Sequence, residues 1–339
     1  MLLSLPRPRG PLSELLLDEL VRGVHELPAL DPPAPAEPLV DEDLHLALYV
    51  LYELHYRGLP GVDERWEWSP SLLALRGALE ATFEGALRAA VPREPDAVPA
   101  EDATDVALRA VADADDAPSL SRVLEREGTL EQYLEYAVHR SAYQLKEGDP
   151  HAFAIPRLAG RPKAALVEIL ADEFGGGRPE RIHARLFADA MDALGLDARY
   201  GAYLDATPGV TLATVNLMSL FGLHRRLRGA ILGQLALYEM NSSVPMRRYA
   251  NGLRRLGVSD QRVLEFFDEH VEADAVHESV AGVDLAGGLV GSDPAAAPDL
   301  LWGARCAVLV DGLWARRVAG AWAEGRTSLL APLAMPAMA

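Results

Sequence analysis

The segment "HVEADAVH" combines two imidazoles and a carboxylate at a spacing that suits a helix. On an α-helix, Asp274 lies about 40° past His270 and His277 lies about 20° short of it, so the three side chains form one stripe. Imidazole and carboxylate groups together are typical ligands of iron, zinc or manganese. Two phenylalanines one turn earlier indicate that this face is apolar, where polar groups require partners. The alternative is a solvated acidic face, since charge runs commonly face water.

A second candidate ligand is Glu239, which ends the apolar run "GAILGQLALYE". A carboxylate that follows two apolar helical turns is expected to be buried, and a buried carboxylate needs a cation or a set of hydrogen-bond donors. A metal ion would meet that need. A hydroxyl group from Tyr249 or Ser242 would meet it equally well, so this helix by itself leaves both interpretations open.

A third cluster is the sequence "EFGGGRPERIH", which runs from Glu173 to His183. Its three successive glycines, Gly175–Gly177, break the helix and allow the backbone to approach another group closely. The carboxylate before the break and the imidazole after it are candidate ligands, with Glu168 and Asp172 as nearby alternatives. The competing interpretation of the glycines is a plain turn between two helices. The pattern follows no strand and does not match a phosphate-binding loop.

These residues must be positioned by helices. Helical periodicity runs through most of the chain, and residues that favour helices are frequent, whereas no run of alternating β-branched residues predicts a strand. The chain is therefore predicted to be all-α, in the form of a helical bundle whose core can hold a metal site on facing helices. The predicted helices cover residues 12–26, 41–57, 70–91, 101–114, 118–125, 129–144, 161–173, 179–194, 210–222, 224–241, 245–256, 260–281 and 299–323.

Proline-rich sequence divides the chain. Residues 27–40 and 92–100 are rich in proline and predict extended connectors. The second stretch suggests a boundary between an N-terminal helical segment, residues 1–115, and a longer helical bundle, residues 116–330.

Composition excludes several classes of protein. The formal charge of −18 and the pI of about 4.9 disfavour binding to nucleic acid, because an acidic protein repels phosphate. The single cysteine, Cys306, can form no disulfide within the chain and no zinc or iron–sulfur cluster alone. No stretch approaches the roughly 18 apolar residues of a membrane span. The N-terminus does not resemble a signal peptide, so we expect a cytoplasmic protein that does not bind membranes.

The three clusters together resemble a known family. "EFGGGRPERIH", followed by "LYE" and then by H-x-x-x-D-x-x-H, is similar to the haem-oxygenase-like diiron oxidase superfamily, in particular to bacterial iron-containing redox enzymes. The resemblance covers about residues 150–280. It implies a haem-oxygenase-like helical bundle that holds two non-haem irons instead of haem, preceded by an N-terminal helical extension.

The resemblance also implies a set of ligands. Glu173 and His183 match the first pair, Glu239 matches the middle carboxylate, and the helix motif supplies the rest. Some family members add a carboxylate from an earlier helix, for which Glu147 in "LKEGDPH" is the best match, although this segment could equally be a capped loop. The complete implied set is Glu147, Glu173, His183, Glu239, His270, Asp274 and His277.

The implied activity is an O2-dependent oxidation of a small organic substrate. In this superfamily such reactions include N-oxygenation, oxidative C–C cleavage and desaturation. The same ligands would also suit a mixed Mn/Fe pair. Each ligating histidine needs an acceptor for its other ring nitrogen, and Asp172, Asp268 and Glu269 are adjacent candidates. The expected partners are the substrate and O2, with room for a homodimer.

We expect the helices at 129–144, 210–222 and 224–241 to line the substrate pocket. Four small or apolar side chains of the middle helix would then favour a substrate with an apolar body: Thr211, Thr214, Met218 and Phe221.

The N-terminal segment contains no motif of this kind. Glu53 and His55 are two residues apart, so on a helix they point about 160° away from each other and cannot chelate one ion. Replacement of either by alanine is therefore expected to leave the metal content unchanged, whereas Asp274→Ala or His277→Ala should abolish metal loading. Two alternatives stay open, namely a metal-free helical interaction protein and an iron-binding storage protein without catalysis.

Overall fold

The computed structural model describes residue 2 and residues 4–28, 35–92 and 99–333, except for the side chains of residues 272–276. Every regular element of the described residues is helical, as the sequence predicts. The α-helices are α1 Pro11–Leu20, α2 Glu42–Glu53, α3 Pro70–Ala90, α4 Thr104–Asp113, α5 Leu120–Arg126, α6 Leu130–Gln144, α7 Asp149–Ala152, α8 Gly160–Glu173, α9 His183–Ala193, α10 Gly209–Leu223, α11 Arg228–Asn241, α12 Ser243–Arg255, α13 Gln261–Ser279, α14 Gly288–Ser292 and α15 Ala297–Ala323.

Shorter helical turns connect these elements. A π-helical stretch, Val280–Gly287, continues α13 towards α14. The 3₁₀ helices are Glu64–Trp68, Glu101–Ala103, Ile155–Arg157, Gly175–Gly177, Pro179–Arg181, Leu204–Ala206, Arg225–Leu227 and Pro294–Ala296. The predicted helices at 179–194 and 224–241 therefore begin late, at His183 and Arg228, because their first turns are 3₁₀. The short helices α7 and α14 were not predicted, since four or five residues give too little periodicity.

Local sequence accounts for several helix boundaries. The Asp41 carboxylate accepts a hydrogen bond from the Leu44 backbone amide and caps α2. Thr129 and Gln132 form a reciprocal capping box at the start of α6. Each cap satisfies backbone amides that the first helical turn leaves without partners, which stabilises a helix start by about 1 kcal/mol.

Helices α11 and α15 form the most extensive helix pair in the described structure. Glycines allow their backbones to touch: a Cβ on Gly233 would overlap the Leu300 carbonyl oxygen, and one on Gly303 would overlap the Ala230 carbonyl oxygen. This close approach holds the α11 backbone, and with it Glu239, in one position relative to the rest of the bundle.

Two hydrophobic clusters fill the bundle. The larger contains buried side chains from α1, α2, α3, α8, α10, α11 and α15, so it includes both the N-terminal helices and the later ones. The smaller lies among α5, α6, α9, α12, α13 and the end of α15. The last turn of α6, the end of α8, the start of α9, the end of α11 and the face of α13 meet between the two clusters. None of the helices in the described part of the chain combines the length and apolar character needed to cross a lipid bilayer.

Candidate metal centre

Six of the seven predicted ligands have described side chains, and all six are buried. Glu147 lies in the turn after α6, Glu173 is the last residue of α8 and His183 is the first residue of α9. Glu239 lies in the last turn of α11, and α13 carries both of the remaining imidazoles. Acidic side chains are rarely buried without a partner. Three buried glutamates in one region therefore indicate a site that binds cations.

The triple glycine brings Glu173 next to His183. Gly175, Gly176 and Gly177 have φ angles of +70°, +59° and +80°, which L side chains rarely adopt. A Cβ on Gly175 would lie 2.7 Å from the Arg181 carbonyl carbon, so the turn is also too tight for a side chain there. The two interpretations of the glycines are thus both correct in part. The glycines form a turn between two helices, and the group that their backbone approaches closely is the backbone of the same chain at Arg181.

The first group of ligands consists of Glu147, His183 and His270, which offer ligand atoms within 4.8 Å of one another. The Nε2 atom of His270 lies 3.7 Å from Oε1 of Glu147. The two imidazole rings are 4.4 Å apart between centroids. Glu173 adjoins the group, because its Oε2 lies 3.1 Å from Nδ1 of His183. One ion could therefore contact two imidazoles and at least one carboxylate.

The orientation of His270 suits a metal ligand. Its Nδ1 donates a hydrogen bond to the Phe266 carbonyl oxygen at 2.7 Å. A carbonyl can only accept, so the proton is on Nδ1 and the lone pair of Nε2 points towards Glu147. A backbone carbonyl that fixes the tautomer in this way is the usual outer partner of a ligating histidine. The acidic side chains expected in this role from the sequence do not fill it at His270. Asp268 instead pairs with Arg254 at 2.6 Å, and Glu269 pairs with Arg181.

Several polar atoms of this group are buried without a hydrogen-bond partner. Oε2 of Glu147, Oε2 of Glu173 and Nδ1 of His183 are buried and have no hydrogen-bond partner among the described residues. The 3.1 Å contact between the last two atoms does not have the angles of a hydrogen bond. Such atoms are costly to bury unless a cation lies between them. Burial lowers the pKa of His183, but the Glu173 carboxylate outweighs it, so the pKa is raised overall. These residues therefore fit a metal ion.

The second group consists of Glu239, His277 and Asp172. Nδ1 of His277 lies 3.1 Å from Oε2 of Glu239, and Nε2 lies 2.9 Å from Oδ2 of Asp172. Burial lowers the pKa of this imidazole, but the hydrogen bonds and charges of the two carboxylates outweigh it and raise the pKa to about 9. Without a metal, the ring is thus an imidazolium that donates to both acids. A partner of Glu239 in the described structure is therefore an imidazole.

Asp172 has a larger part in the site than its sequence suggests. It was considered only as an alternative ligand or an outer acceptor, and it lies in direct contact with His277 although most of its side chain is exposed. Asp274 lies in α13, but its side chain is outside the described residues. Its role as a ligand stays a prediction from the motif.

A cavity of about 300 Å³ opens onto both groups of ligands. The ligands at its floor are Glu147, Glu173, Glu239 and His270. Its walls come from α5, α6, α11, α12 and α15, and include Tyr136, Arg140, Tyr143, Leu235, Tyr238, Met246, Tyr249, Asp311 and Trp314. The walls predicted from α6 and α11 are thus correct, whereas the contributions of α5, α12 and α15 were not predicted.

The prediction that α10 lines the pocket is wrong. None of the described cavity-lining residues comes from α10, whose side chains are core residues instead. Thr211 shares a hydrogen bond with His139 at 2.8 Å, and Phe221 packs on the ring of Trp302. Core and pocket positions have the same apolar composition, so the sequence could not distinguish them.

Glu53 and His55 have separate partners away from this centre. Glu53 is fully buried and forms an ion pair with Lys146 at 3.1 Å. His55 contacts Glu67 and Arg76. The sequence correctly indicated that the pair does not share one ion, but it did not indicate the buried ion pair.

Comparison with family models gives a match over the region that holds the ligands. A model of the family described as iron-containing redox enzyme matches residues 134–312, which is more than half of the chain. The matched region begins in α6 and ends in α15, so it includes every residue of both ligand groups. No curated protein matches the chain.

Proposed function

The chain belongs to the iron-containing redox enzyme family, and on this premise we propose that it is a non-haem diiron oxidase that uses O2 to oxidise a small organic substrate. Membership of the family supports an iron-dependent redox function. The observation that carries the finer proposal is the pair of adjacent imidazole–carboxylate groups at the floor of one cavity. One such group would suffice for a single ion.

We assign one iron to each group. Glu147, His183 and His270 would hold the first iron. Glu239 and His277 would hold the second, together with Asp274 as the motif predicts or with Asp172. Glu173 contacts His183 and its charge also raises the pKa of His277, so it lies where a carboxylate could serve both ions. The same donor set would accept manganese at one position.

Two bound Fe(II) ions would supply the electrons that reduce O2 and an open coordination position for it. The residues of the chain itself would position the metal ligands and form the surroundings of the substrate. The Phe266 carbonyl holds the His270 ring with its Nε2 towards the centre. His151 lines the cavity and shares a 2.8 Å hydrogen bond with Gln234 of α11. Tyrosine and tryptophan side chains form much of the wall and limit the access of water to the bound substrate.

The expected partners are O2 and one small molecule that enters the cavity. N-oxygenation, oxidative C–C cleavage and desaturation all stay within the proposal, since each needs a substrate held near the ligand floor. A homodimer is compatible with it.

An anaerobic Fe(II) titration followed by stopped-flow mixing with O2 tests the proposal. We expect two irons per chain and a transient change in visible absorbance that consumes O2. One iron per chain would contradict the diiron assignment, and two irons that never react with O2 would indicate storage. No iron above background would favour a metal-free interaction protein. Loading with Mn(II) and Fe(II) together, followed by elemental analysis, distinguishes a mixed pair.

A further inference from the structure

Arg140 is a cation in the wall of the cavity, on α6. Its guanidinium carbon lies 5.3 Å from the centre of the Trp314 ring. No described residue forms a hydrogen bond or an ion pair with it, and its Nε atom is buried without a partner. A guanidinium presents five N–H donors, and leaving them unpaired in the interior is costly. The structure thus holds an unpaired positive charge that faces the space where a substrate would bind.

Asp311 lines the same cavity, but it does not form an ion pair with Arg140. It influences Arg140 electrostatically but lies beyond ion-pair distance from it. Its Oδ2 accepts a hydrogen bond from the Tyr238 hydroxyl at 2.7 Å instead. The N–H donors of the Arg140 guanidinium are therefore available to another group.

The other walls near Arg140 are aromatic. Tyr136 and Tyr249 both line the cavity and pack against each other with their ring centroids 4.5 Å apart, and Trp314 packs beside Tyr136 at 6.3 Å. Aromatic walls bury the carbon body of a ligand well. A ligand that matches this part of the cavity has an anionic end and an apolar or aromatic body.

The separation of Arg140 from the metal ligands determines how long a molecule must be to reach from one to the other. From Arg140, α6 continues for about 6 Å along its axis to its end at Gln144, and Glu147 lies in the turn that follows. Both residues line the same cavity. A molecule bound to Arg140 at one end would therefore reach the ligand floor several bonds away from its anionic group.

We propose that Arg140 binds a carboxylate of the substrate and so places a carbon several bonds away beside the metal centre. The planar guanidinium matches the two oxygens of a carboxylate. One unpaired cation in a cavity that already holds several acids suits a monoanion better than a phosphate. This inference rests on the proposed function for the identity of the reacting end, but the binding of the carboxylate can be tested separately.

Calorimetric titration of the anaerobic Fe(II)-loaded protein with octanoate, octanamide and octyl phosphate tests the inference. We expect octanoate to bind at least tenfold more tightly than the other two. Arg140→Gln should weaken octanoate binding at least tenfold and leave octanamide binding unchanged, and Arg140→Lys should retain part of the affinity. Arg254→Gln, which removes a surface cation paired with Asp268, should bind all three like the parent.

Equal binding of acid and amide, no binding of octanoate, or tighter binding of octyl phosphate would overturn the inference. Undiminished octanoate binding by a folded Arg140→Gln variant would do so too, because the acid would then bind the iron alone. If Arg140→Gln does not fold, the octanoate affinity of Arg140→Lys is compared with that of the parent instead. The same titration of chelator-treated protein separates the two proposals, since carboxylate recognition by Arg140 would persist even if the chain bound no iron.

Discussion

At the scale of single residues, the centre is defined by buried polar atoms that have no hydrogen-bond partner in the described structure. Glu147, Glu173 and His183 each bury one such atom within the described structure. His277 differs, because both its ring nitrogens face carboxylates and it carries a proton until a metal displaces it. The two groups should therefore respond differently to mutation and to pH.

We predict that His183→Ala lowers the iron content from two ions per chain to at most one. The variant removes an imidazole of the first group and leaves the second group intact, and alanine is well tolerated in a helix. Elemental analysis after anaerobic loading measures the effect. His25→Ala is the matched control, because His25 is partly exposed and its imidazole pairs with Glu19, which belongs to neither ligand group. A His183→Ala variant that still binds two irons would refute the assignment.

The raised pKa of His277 predicts how the stability of the metal-free protein depends on pH. The folded state holds this proton up to a pH of about 9, whereas the unfolded state releases it near 6.5. The stabilisation is therefore complete below pH 6.5 and disappears as the pH rises to 9. It amounts to about 3 kcal/mol, given 1.36 kcal/mol per pKa unit.

Chemical unfolding of chelator-treated protein at several pH values measures this dependence. The free energy of unfolding of the parent should fall between pH 6.5 and 9 more steeply than that of His277→Gln, which has no titrating group at this position. Parallel pH profiles for the two proteins would show that His277 is not protonated in the folded state.

At the scale of elements, a turn without side chains decides the geometry of the first group. Glu173 ends α8 and His183 begins α9, and only a left-handed glycine turn connects the two helices over so short a distance. On the other side, Gly148 follows Glu147, and a Cβ there would press on the Phe174 ring at 3.1 Å. Glycines thus determine how closely the three ligand-bearing segments approach.

We predict that Gly175→Ala disrupts the first iron site more than Gly176→Ala does. Both substitutions place alanine at a positive φ angle, which costs about 1–2 kcal/mol. Only at Gly175 would the new Cβ also meet the backbone of Arg181, at 2.7 Å, and move His183, whereas Gly176 has open space around it. Iron content and thermal unfolding of the two variants provide the comparison. An equal loss of iron in both would mean that strain, and not the displacement of His183, is responsible.

At the scale of the whole molecule, the N-terminal helices support the metal centre. Glu53 on α2 forms a buried ion pair with Lys146, the residue before the ligand Glu147. The Tyr200 hydroxyl also donates to Glu53 at 2.8 Å. The position of one ligand thus depends on a helix far earlier in the chain. Glu53→Ala is for this reason unsuitable as a neutral control, contrary to the expectation from sequence.

We predict that Glu53→Ala destabilises the protein by about 3–5 kcal/mol, because it leaves the buried charge of Lys146 without a partner. The double variant Glu53→Leu with Lys146→Met should recover most of this loss, since it removes both charges. Chemical denaturation measures both. Glu64→Ala, at an exposed position, is the control and should change stability by less than about 0.5 kcal/mol. A small effect of Glu53→Ala would show that Lys146 finds water or another partner.

The sequence alone determined the helices and the types of ligand. Periodicity predicted the long helices because each buries a continuous apolar face, although the helices predicted at 12–26 and 41–57 end earlier, at Leu20 and Glu53. The spacing of His270 and His277 predicted that both point inward, since a helix repeats every 3.6 residues. Similarity of the motifs identified the family, which the match to residues 134–312 confirms.

Only the tertiary structure decided how these residues are grouped. The division into two sets of ligands, the contact of Asp172 with His277 and the buried pair of Glu53 with Lys146 all join residues far apart in the chain. The same holds for the cavity, where Arg140 from α6 faces walls from α12 and α15. Composition and periodicity describe one helix at a time, whereas these contacts depend on the angles at which several helices pack.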